Sequence, residues 1–402
     1  MKILLITQFF APDITAAAFR LTDFARLLVK RGHEVQVITA YPHKAQVEAI
    51  DDAAFGSEGI QISRCHIQDV VGSGARAYLT HYMSFVRGSI RQGWKIWRTG
   101  WRPDVIYVSS PPLLVGMTGR FLAALFRRPW VMEIRDIWPD TPVAAGQLSQ
   151  DGRAYKIGRK MEKYFYRKAN RLICVSQPMS EYLAEETRTP VTVIYNGVSL
   201  EDAGAERQNP EKTLNSKTIL YAGNLGHLQE LELLIQGFSE VCRNPELADW
   251  KLHLLGAGAQ LEMLKQLVQE LDLKDQVVFH SAVSREDAMR MMQDCGLLYL
   301  NLKLHPTLAK TIPSKLFDYF LAGRPIVAGL AGEGRQLLES TQANVVFNPG
   351  NVDELKQAIA TAITNLSNLE QNAHLNRELV LKRFTRDTAV DQLESVFQEL
   401  IK

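Results

Sequence analysis

The feature that most constrains this chain is the alternation of short, β-branched apolar runs with longer stretches of helical period. Runs at Ile3–Thr7, Val35–Ala40, Val105–Ser109, Trp130–Ile134, Leu172–Val175 and Val191–Ile194 are separated by segments such as Phe19–Arg31, Leu113–Phe126 and Tyr155–Lys168. Strands that are apolar throughout are buried on both faces, and helices between them supply the cover, so the pattern predicts a parallel, doubly wound sheet. A polar, aperiodic stretch at 199–217, with Asn209-Pro210 inside it, breaks the rhythm and reads as a linker. The alternation then restarts at Thr218–Ala222, Lys251–Leu255, Val277–His280, Leu297–Leu300, Pro325–Ala328 and Val345–Phe347. The expectation is two doubly wound, Rossmann-like α/β domains facing a central cleft. Residues 1–198 form the first and 218–380 the second, with a helix in 381–402 packing back toward the first domain.

A chain of 402 residues is long enough for two domains of ordinary size, and 46% apolar with 22% charged residues is the composition of a soluble globular protein. No window approaches 18 uncharged apolar residues, so no membrane-spanning helix is expected. The apolar run after Met1-Lys2 is short and reads as a buried first strand, not a signal peptide. Cys65, Cys174, Cys242 and Cys295 lie far apart in mostly apolar contexts, which predicts buried thiols in a reducing cytoplasm and no metal or disulfide framework. Residues 1–200 hold 26 Lys and Arg against 17 Asp and Glu, while residues 201–402 hold 20 against 27. That asymmetry points to an anionic surface or ligand met by the first half.

Ligands of doubly wound sheets bind beyond the carboxyl ends of the strands, so the strand-to-helix turns are the informative positions. In Tyr221-Ala222-Gly223-Asn224-Leu225-Gly226, two glycines let backbone amides approach a diphosphate, or serve only a tight turn. Gly256 and Gly258 recur at the next turn without the third glycine or the acidic partner of a dinucleotide fingerprint. In the turn at 281–284, Ser284 reads as a helix cap with Asp287 at the capping-box position, and the backbone around Val283 suits the edge of a base. The stretch from Lys310 to Ala328 reads as a helix beginning at Pro313, ending at Gly323 and followed by a strand. Its opening turn carries Lys310, Ser314, Lys315 and Asp318, either as solvated charges or as an anion site at a helix start.

In the first half, Glu133-Ile134-Arg135-Asp136 closes a core strand. Such a cluster is either a structural ion pair or a functional group at the carboxyl edge of the sheet, and Glu133 and Asp136 enter as catalytic candidates. The segment 87–102 packs five cations and Trp94, Trp97 and Trp101 at helical spacing. A tryptophan stripe of this kind either packs on the core or, with its flanking cations, meets the headgroups of an anionic bilayer, here through Tyr78–Trp101. Nucleic acid is not expected.

Taken together, the chain resembles the family 4 glycosyltransferases of GT-B fold along nearly its whole length. The opening K-I-L-L-I-T-Q-F-F-A-P-D, R-G-H-E-V at 31–35, Y-N-G-V at 195–198, Y-A-G-N-L-G, L-L-G-A-G and P-S-K-L-F-D-Y-F-L-A-G-R-P-I-V-A carry the likeness. Within the family, E-I-R-D-I-W-P-D and P-S-K are similar to bacterial transferases of the L-fucosamine-transferase type. The resemblance implies retaining, metal-independent transfer of an N-acetylated amino sugar from a UDP-sugar, with no further cofactor. The acceptor it implies is a lipid-linked saccharide of surface polysaccharide (O-antigen, lipopolysaccharide or exopolysaccharide) synthesis, used by a peripheral enzyme on the inner face of the plasma membrane.

The resemblance places the donor on Gly223, Asn224, Leu225, Gly226, Gly256, Val283, Pro313, Ser314, Lys315 and Asp318. Two glutamates usual in the family are here Lys310 and Asp318, and Asn224 stands where an arginine is common, so Lys310, a third catalytic candidate beside Glu133 and Asp136, or Lys315 is expected to meet the diphosphate. Two other activities fit the same residues: a UDP-N-acetylhexosamine 2-epimerase, or a non-catalytic subunit that binds nucleotide sugar.

Overall fold

The structure is a computed structural model that describes residues 1–42, 50–70, 75–201 and 216–401. The expected linker therefore falls mostly outside the described residues. The chain divides into two compact units, Met1–Asn196 with Arg386–Lys402, and Gly197–Thr385.

The first unit is built on seven parallel strands: β1 (Lys2–Ile6), β2 (Glu34–Ala40), β3 (Ile60–Cys65), β4 (Val105–Ser110), β5 (Trp130–Ile134), β6 (Arg171–Cys174) and β7 (Val191–Val193), ordered β3-β2-β1-β4-β5-β6-β7. The order reverses beside β1, which makes the β1 and β4 ends the switch point of a doubly wound sheet. Helices cover both faces because both faces are apolar. Leu4, Ile6, Ile106, Val108 and Met132 point to one side with Phe85, Leu122 and Phe165, and Ile3, Leu5 and Val131 to the other with Leu21, Phe24 and Phe397. Phe397 belongs to the helix Arg386–Ile401, which lies over this sheet with its ring 5.7 Å from that of Tyr107. On the first face the helices Ala75–Arg98, Val115–Phe126 and Arg153–Lys168 lie side by side. A Cβ on Gly93 would lie 2.5 Å from Leu122, and one on Gly116 2.7 Å from Phe165, so these glycines set how closely the three helices pack.

The second unit repeats the plan with six parallel strands: β8 (Thr218–Ala222), β9 (Lys251–Leu255), β10 (Val277–His280), β11 (Leu297–Asn301), β12 (Ile326–Gly329) and β13 (Val345–Phe347), ordered β10-β9-β8-β11-β12-β13. Its core gathers Ile219, Tyr221, Leu254, Tyr299 and Val327 with Leu234, Phe238 and Ile359 from the covering helices. All four cysteines are buried free thiols.

Two details depart from the sequence reading. The strand Ile60–Cys65 was not foreseen, because Gln61, Ser63 and Arg64 interrupt its apolar character; it is an edge strand, exposed on one side, which tolerates that pattern. The tryptophan stripe also divides. The long helix ends at Arg98 and Gly100 follows at φ +87°, so Trp101 is off the helix, and Trp97 and Trp101 pack against the core while Trp94 is 49% exposed.

Candidate active site

In the second unit, the carboxyl ends of β8 and β9 lead into two glycine turns that lock together. Gly223 (φ +146°) and Gly256 (φ +137°) adopt backbone geometry that favours glycine. A Cβ on Gly256 would lie 2.0 Å from the carbonyl oxygen of Gly223, and one on Gly258 2.2 Å from that of Leu225. The contact is sealed by hydrogen bonds from Gly223 N to Leu255 O (2.8 Å) and from Leu225 N to Ala257 O (2.9 Å). This corrects the expected cradle of four amides. Gly223 and Leu225 give theirs to the neighbouring turn, Gly256 gives its own to His280 O, and Asn224 and Gly226 keep N–H groups that bond to nothing among the described residues.

Onto this turn folds the start of the helix Lys315–Ala322. The helix begins two residues after Pro313, whose carbonyl accepts from Leu316 N, and Ser314 precedes it without a side-chain capping bond. Lys315 Nζ donates to Tyr221 Oη at 2.8 Å and lies 4.9 Å from the centre of that ring. The lysine crosses the turn so closely that a Cβ on Gly223 would lie 1.9 Å from Lys315 Cε. Burial draws the Lys315 amine down to about 8, against the pull of Asp318. Tyr221 Oη in turn donates to Asn224 O at 2.6 Å, and Tyr319 Oη accepts from Ala222 N at 2.8 Å. The ends of β8 and the helix are thus tied by two phenols.

One turn along the same helix, Asp318 lies 3.7 Å from Arg285, the first residue of the helix Arg285–Asp294. Ser284 caps that helix, accepting from Asp287 N, and Val283 before it is 37% exposed. The segment expected at the base edge and the carboxylate expected at a ribose are therefore adjacent. Lys310 ends the short turn Leu308–Lys310 that leads into this region. Tyr221, Arg285 and Tyr319 had not been singled out. The signal for the first was a tyrosine, in place of an aliphatic residue, two positions before the turn glycine.

In the first unit, Glu133 is the next-to-last residue of β5 and has no exposed surface. Arg20 binds its Oε1 through Nε (3.0 Å) and Nη2 (2.9 Å), and Ser109 donates to Oε2 at 2.7 Å with Arg135 3.7 Å away. Burial alone would push this carboxyl up, but Arg20 and Arg135 overcome it and hold it below the usual range. Both oxygens being engaged, Glu133 has nothing to offer a ligand. It is the buried anion of an ion pair with Arg20, so the expectation of a catalytic role for it is corrected. Arg20 also donates to Tyr195 O (2.7 Å) and Ile194 O (3.0 Å), so it is satisfied on every side. Arg20 too was missed, since its partner lies 113 residues away. Asp136, beyond the strand, is partly buried, and burial pushes its carboxyl up against the opposing charge of Arg135. On the same edge Gln8 Nε2 and His81 Nε2 are 2.9 Å apart, with His81 Nδ1 donating to Gln68 O.

Residues 15–197 match the model of a glycosyl transferase 4-like domain, and residues 202–378 that of glycosyl transferases group 1. WcaI of Escherichia coli (strain K12), named as a colanic acid biosynthesis glycosyl transferase, is 24% identical over 96% of this chain and 99% of its own. Among solved structures, Anabaena Alr3699/HepE in complex with UDP-glucose superposes with a TM-score of 0.72 at 20% identity, covering both chains completely. Sucrose-phosphate synthase from Thermosynechococcus elongatus gives 0.77 at 17% identity over 100% of this chain and 99% of its own. These likenesses establish that both units have the GT-B type of Rossmann-like fold.

Proposed function

The chain belongs to the glycosyltransferases built from a 4-like domain followed by a group 1 domain, and from that premise we propose a retaining transfer from a UDP-sugar to a lipid-linked saccharide in bacterial surface polysaccharide synthesis. The observation that carries the donor assignment is Lys315 folded over Gly223 in the 223–226 turn, with Asp318 one turn further along the same helix beside Arg285. The ammonium and the amides of Asn224 and Gly226 face the diphosphate, Asp318 accepts from the ribose hydroxyls, and the backbone at Val283 meets the base. The UDP-glucose bound by HepE supports a uridine nucleotide, and the name of WcaI supports a polysaccharide product. The resemblance of P-S-K and E-I-R-D-I-W-P-D to transferases of the L-fucosamine-transferase type supports an N-acetylated amino sugar.

In the transfer, the anomeric carbon–oxygen bond to the diphosphate breaks and the acceptor hydroxyl oxygen bonds to that carbon. Lys315 offsets the charge that grows on the leaving diphosphate, which receives the hydroxyl proton; neither a metal ion nor a further cofactor takes part in this reading. Asp136 contacts the acceptor hydroxyl. The test is a donor screen by mass spectrometry, pairing UDP-, GDP- and dTDP-sugars with lipid-diphosphate saccharide acceptors. A glycosylated lipid formed from a UDP-N-acetylhexosamine, with retained anomeric configuration, is expected. An epimerised UDP-sugar formed without acceptor, or UDP binding with no transfer to any acceptor, overturns the proposal in favour of an epimerase or a binding subunit.

The membrane contact rests on the three neighbouring helices of the first unit. Their exposed apolar side chains are Leu79, Trp94, Phe121, Ile157 and Tyr164, with Tyr78 beside them. Exposed cations such as Arg87, Arg91, Arg98, Lys156 and Lys160 surround them, and Arg98 stacks over Trp94 at 5.5 Å. Glu162 is the only carboxylate in the three helices and is fully buried. An apolar, cationic surface with no exposed carboxylate matches an anionic bilayer. No helix among the described residues is long and apolar enough to cross one. Flotation with anionic but not zwitterionic liposomes is expected, and equal flotation with both refutes the assignment.

A further inference from the structure

The UDP-sugar reading leaves open what places the Lys315 ammonium. On that reading, we propose that Tyr221 is a positioning residue: its hydroxyl holds the ammonium above the glycine turn so that the remaining N–H donors face the diphosphate. The phenol belongs to the next-to-last residue of β8 and is fully buried. It bridges two parts of the site, accepting from Lys315 Nζ at 2.8 Å and donating to Asn224 O at 2.6 Å. The oxygen therefore has its proton committed to the turn and a lone pair aimed at the lysine.

An ammonium has three donors, and Tyr221 Oη is the one hydrogen-bond acceptor that Lys315 has among the described residues. The ring face, 4.9 Å away, adds attraction but accepts no second conventional bond. Gly223 places no side chain between the lysine and the turn, since even a Cβ would lie 1.9 Å from Lys315 Cε. Two donors are thus left over a turn whose Asn224 and Gly226 amides are also uncommitted. These groups converge on an acceptor with several anionic oxygens, which is what a diphosphate is.

The same enclosure gives binding a proton linkage. The charged and titratable groups around Lys315 are Asp318 on its own helix with Arg285 3.7 Å from it, Tyr221 on β8, and Tyr319, whose hydroxyl bonds to Ala222. Asp318 is the one anion among them and is shared with Arg285. Burial consequently holds the amine at about 8. A diphosphate raises it again by supplying opposite charge, so binding takes up a proton above pH 8 and none well below.

Calorimetry of UDP binding to the full chain, from pH 7 to 9 in buffers of different ionisation heat, tests both parts. At pH 7, Tyr221→Phe weakens UDP binding about five- to tenfold, the loss of one hydrogen bond, and Lys315→Ala weakens it about thirtyfold or more. In the Lys315→Ala background, Tyr221→Phe costs nothing further; a merely structural role predicts the same loss in both backgrounds and overturns the proposal. Wild type takes up close to one more proton at pH 9 than Lys315→Arg, which stays charged and controls for titration of the uracil. Equal uptake overturns the linkage. A chain that does not bind UDP at all overturns the donor reading and, with it, the orientation toward a diphosphate. Carbon-13 titration of the Lys315 side chain without nucleotide decides the pairing separately: a midpoint near 8 that falls further in Tyr221→Phe supports it, and an ordinary lysine midpoint refutes it.

Discussion

Removing Glu133 tests whether it is structural. The carboxylate has no exposed surface, and its principal partner Arg20 is 1% exposed. Glu133→Ala therefore leaves a guanidinium inside the first unit without its counter-charge. Breaking a buried pair in this way costs about 3–5 kcal/mol, because the remaining charge keeps its desolvation penalty. Two features place the cost at the lower end. Arg20 retains the carbonyls of Tyr195 and Ile194, and its guanidinium lies over the Phe24 ring at 4.4 Å. We take about 3 kcal/mol, which with a urea m-value near 3 kcal/mol/M lowers the unfolding midpoint by about 1 M.

Five of the six tryptophans, Trp94, Trp97, Trp101, Trp130 and Trp138, lie in the first unit, so tryptophan fluorescence in urea reports mainly on the unit that contains the pair. The partner variant Arg20→Met should lose a comparable amount. The double variant Arg20→Met/Glu133→Ala should be more stable than the sum of the single losses predicts, since the guanidinium goes with its partner, while Arg135 keeps its bond to Ser109 Oγ. Acid should act through the same group. Because Glu133 is held below the usual carboxylate range in the folded chain, its contribution is fully present above pH 4.5 and is lost as pH falls through its folded value. A Glu133→Ala midpoint within experimental error of wild type, with additive single losses in the double variant, refutes the argument and returns Glu133 to the catalytic candidates.

The two glycines of the locked turns should respond differently. In Gly223→Ala the new Cβ meets the far end of a flexible lysine, so stability falls by about 1–2 kcal/mol, chiefly from backbone strain, while UDP affinity drops. In Gly256→Ala it meets a backbone carbonyl that cannot move, and a loss above about 3 kcal/mol by urea unfolding of the second unit is expected. His253 and His280 lie 2.9 Å apart on β9 and β10, and burial draws both down, His253 to about 4. Since the unfolded chain binds these protons more readily, stability should fall as pH drops from about 6.5 toward 4, and His253→Asn should flatten that slope in a pH series of melting temperatures. Trp94→Ser should leave the midpoint within about 0.5 kcal/mol of wild type yet reduce flotation with anionic liposomes, whereas Trp97→Ser should destabilise measurably.

Most strands were legible because a parallel strand covered on both faces is mainly apolar, and twelve such runs stand out without any knowledge of partners. The thirteenth, Ile60–Cys65, is an edge strand like β7, β10 and β13, but Gln61, Ser63 and Arg64 break up its apolar run. The site was legible in outline for the same reason: glycines and cations at strand ends are local facts. What stayed hidden were commitments made across the chain. Nothing near Glu133 announces Arg20, 113 residues earlier, and nothing near Gly223 shows that its amide goes to Leu255. Tyr221 was hidden differently, as one apolar letter in a core strand whose hydroxyl matters only once Lys315 is folded over it, 94 residues on.

These long-range commitments change which group bears the charge of the proposed donor. Had all four amides of the 223–226 turn been available, backbone dipoles together with the helix start could have met a diphosphate, as they do at many anion sites. With Gly223 and Leu225 bonded to the next turn, two neutral donors remain. Two amides bring no net charge to offset that of a diphosphate, so the balance shifts to an ammonium, which brings donors and with them a full opposite charge. Asn224 offers none, being neutral where the resembling family commonly has arginine. Lys315 does, and its position across Gly223 is possible only because that residue lacks a side chain. On the donor site proposed above, the glycine serves less as a ligand-facing amide than as the space through which the lysine reaches the turn, so substitutions at Gly223, Tyr221 and Lys315 should act non-additively on UDP affinity.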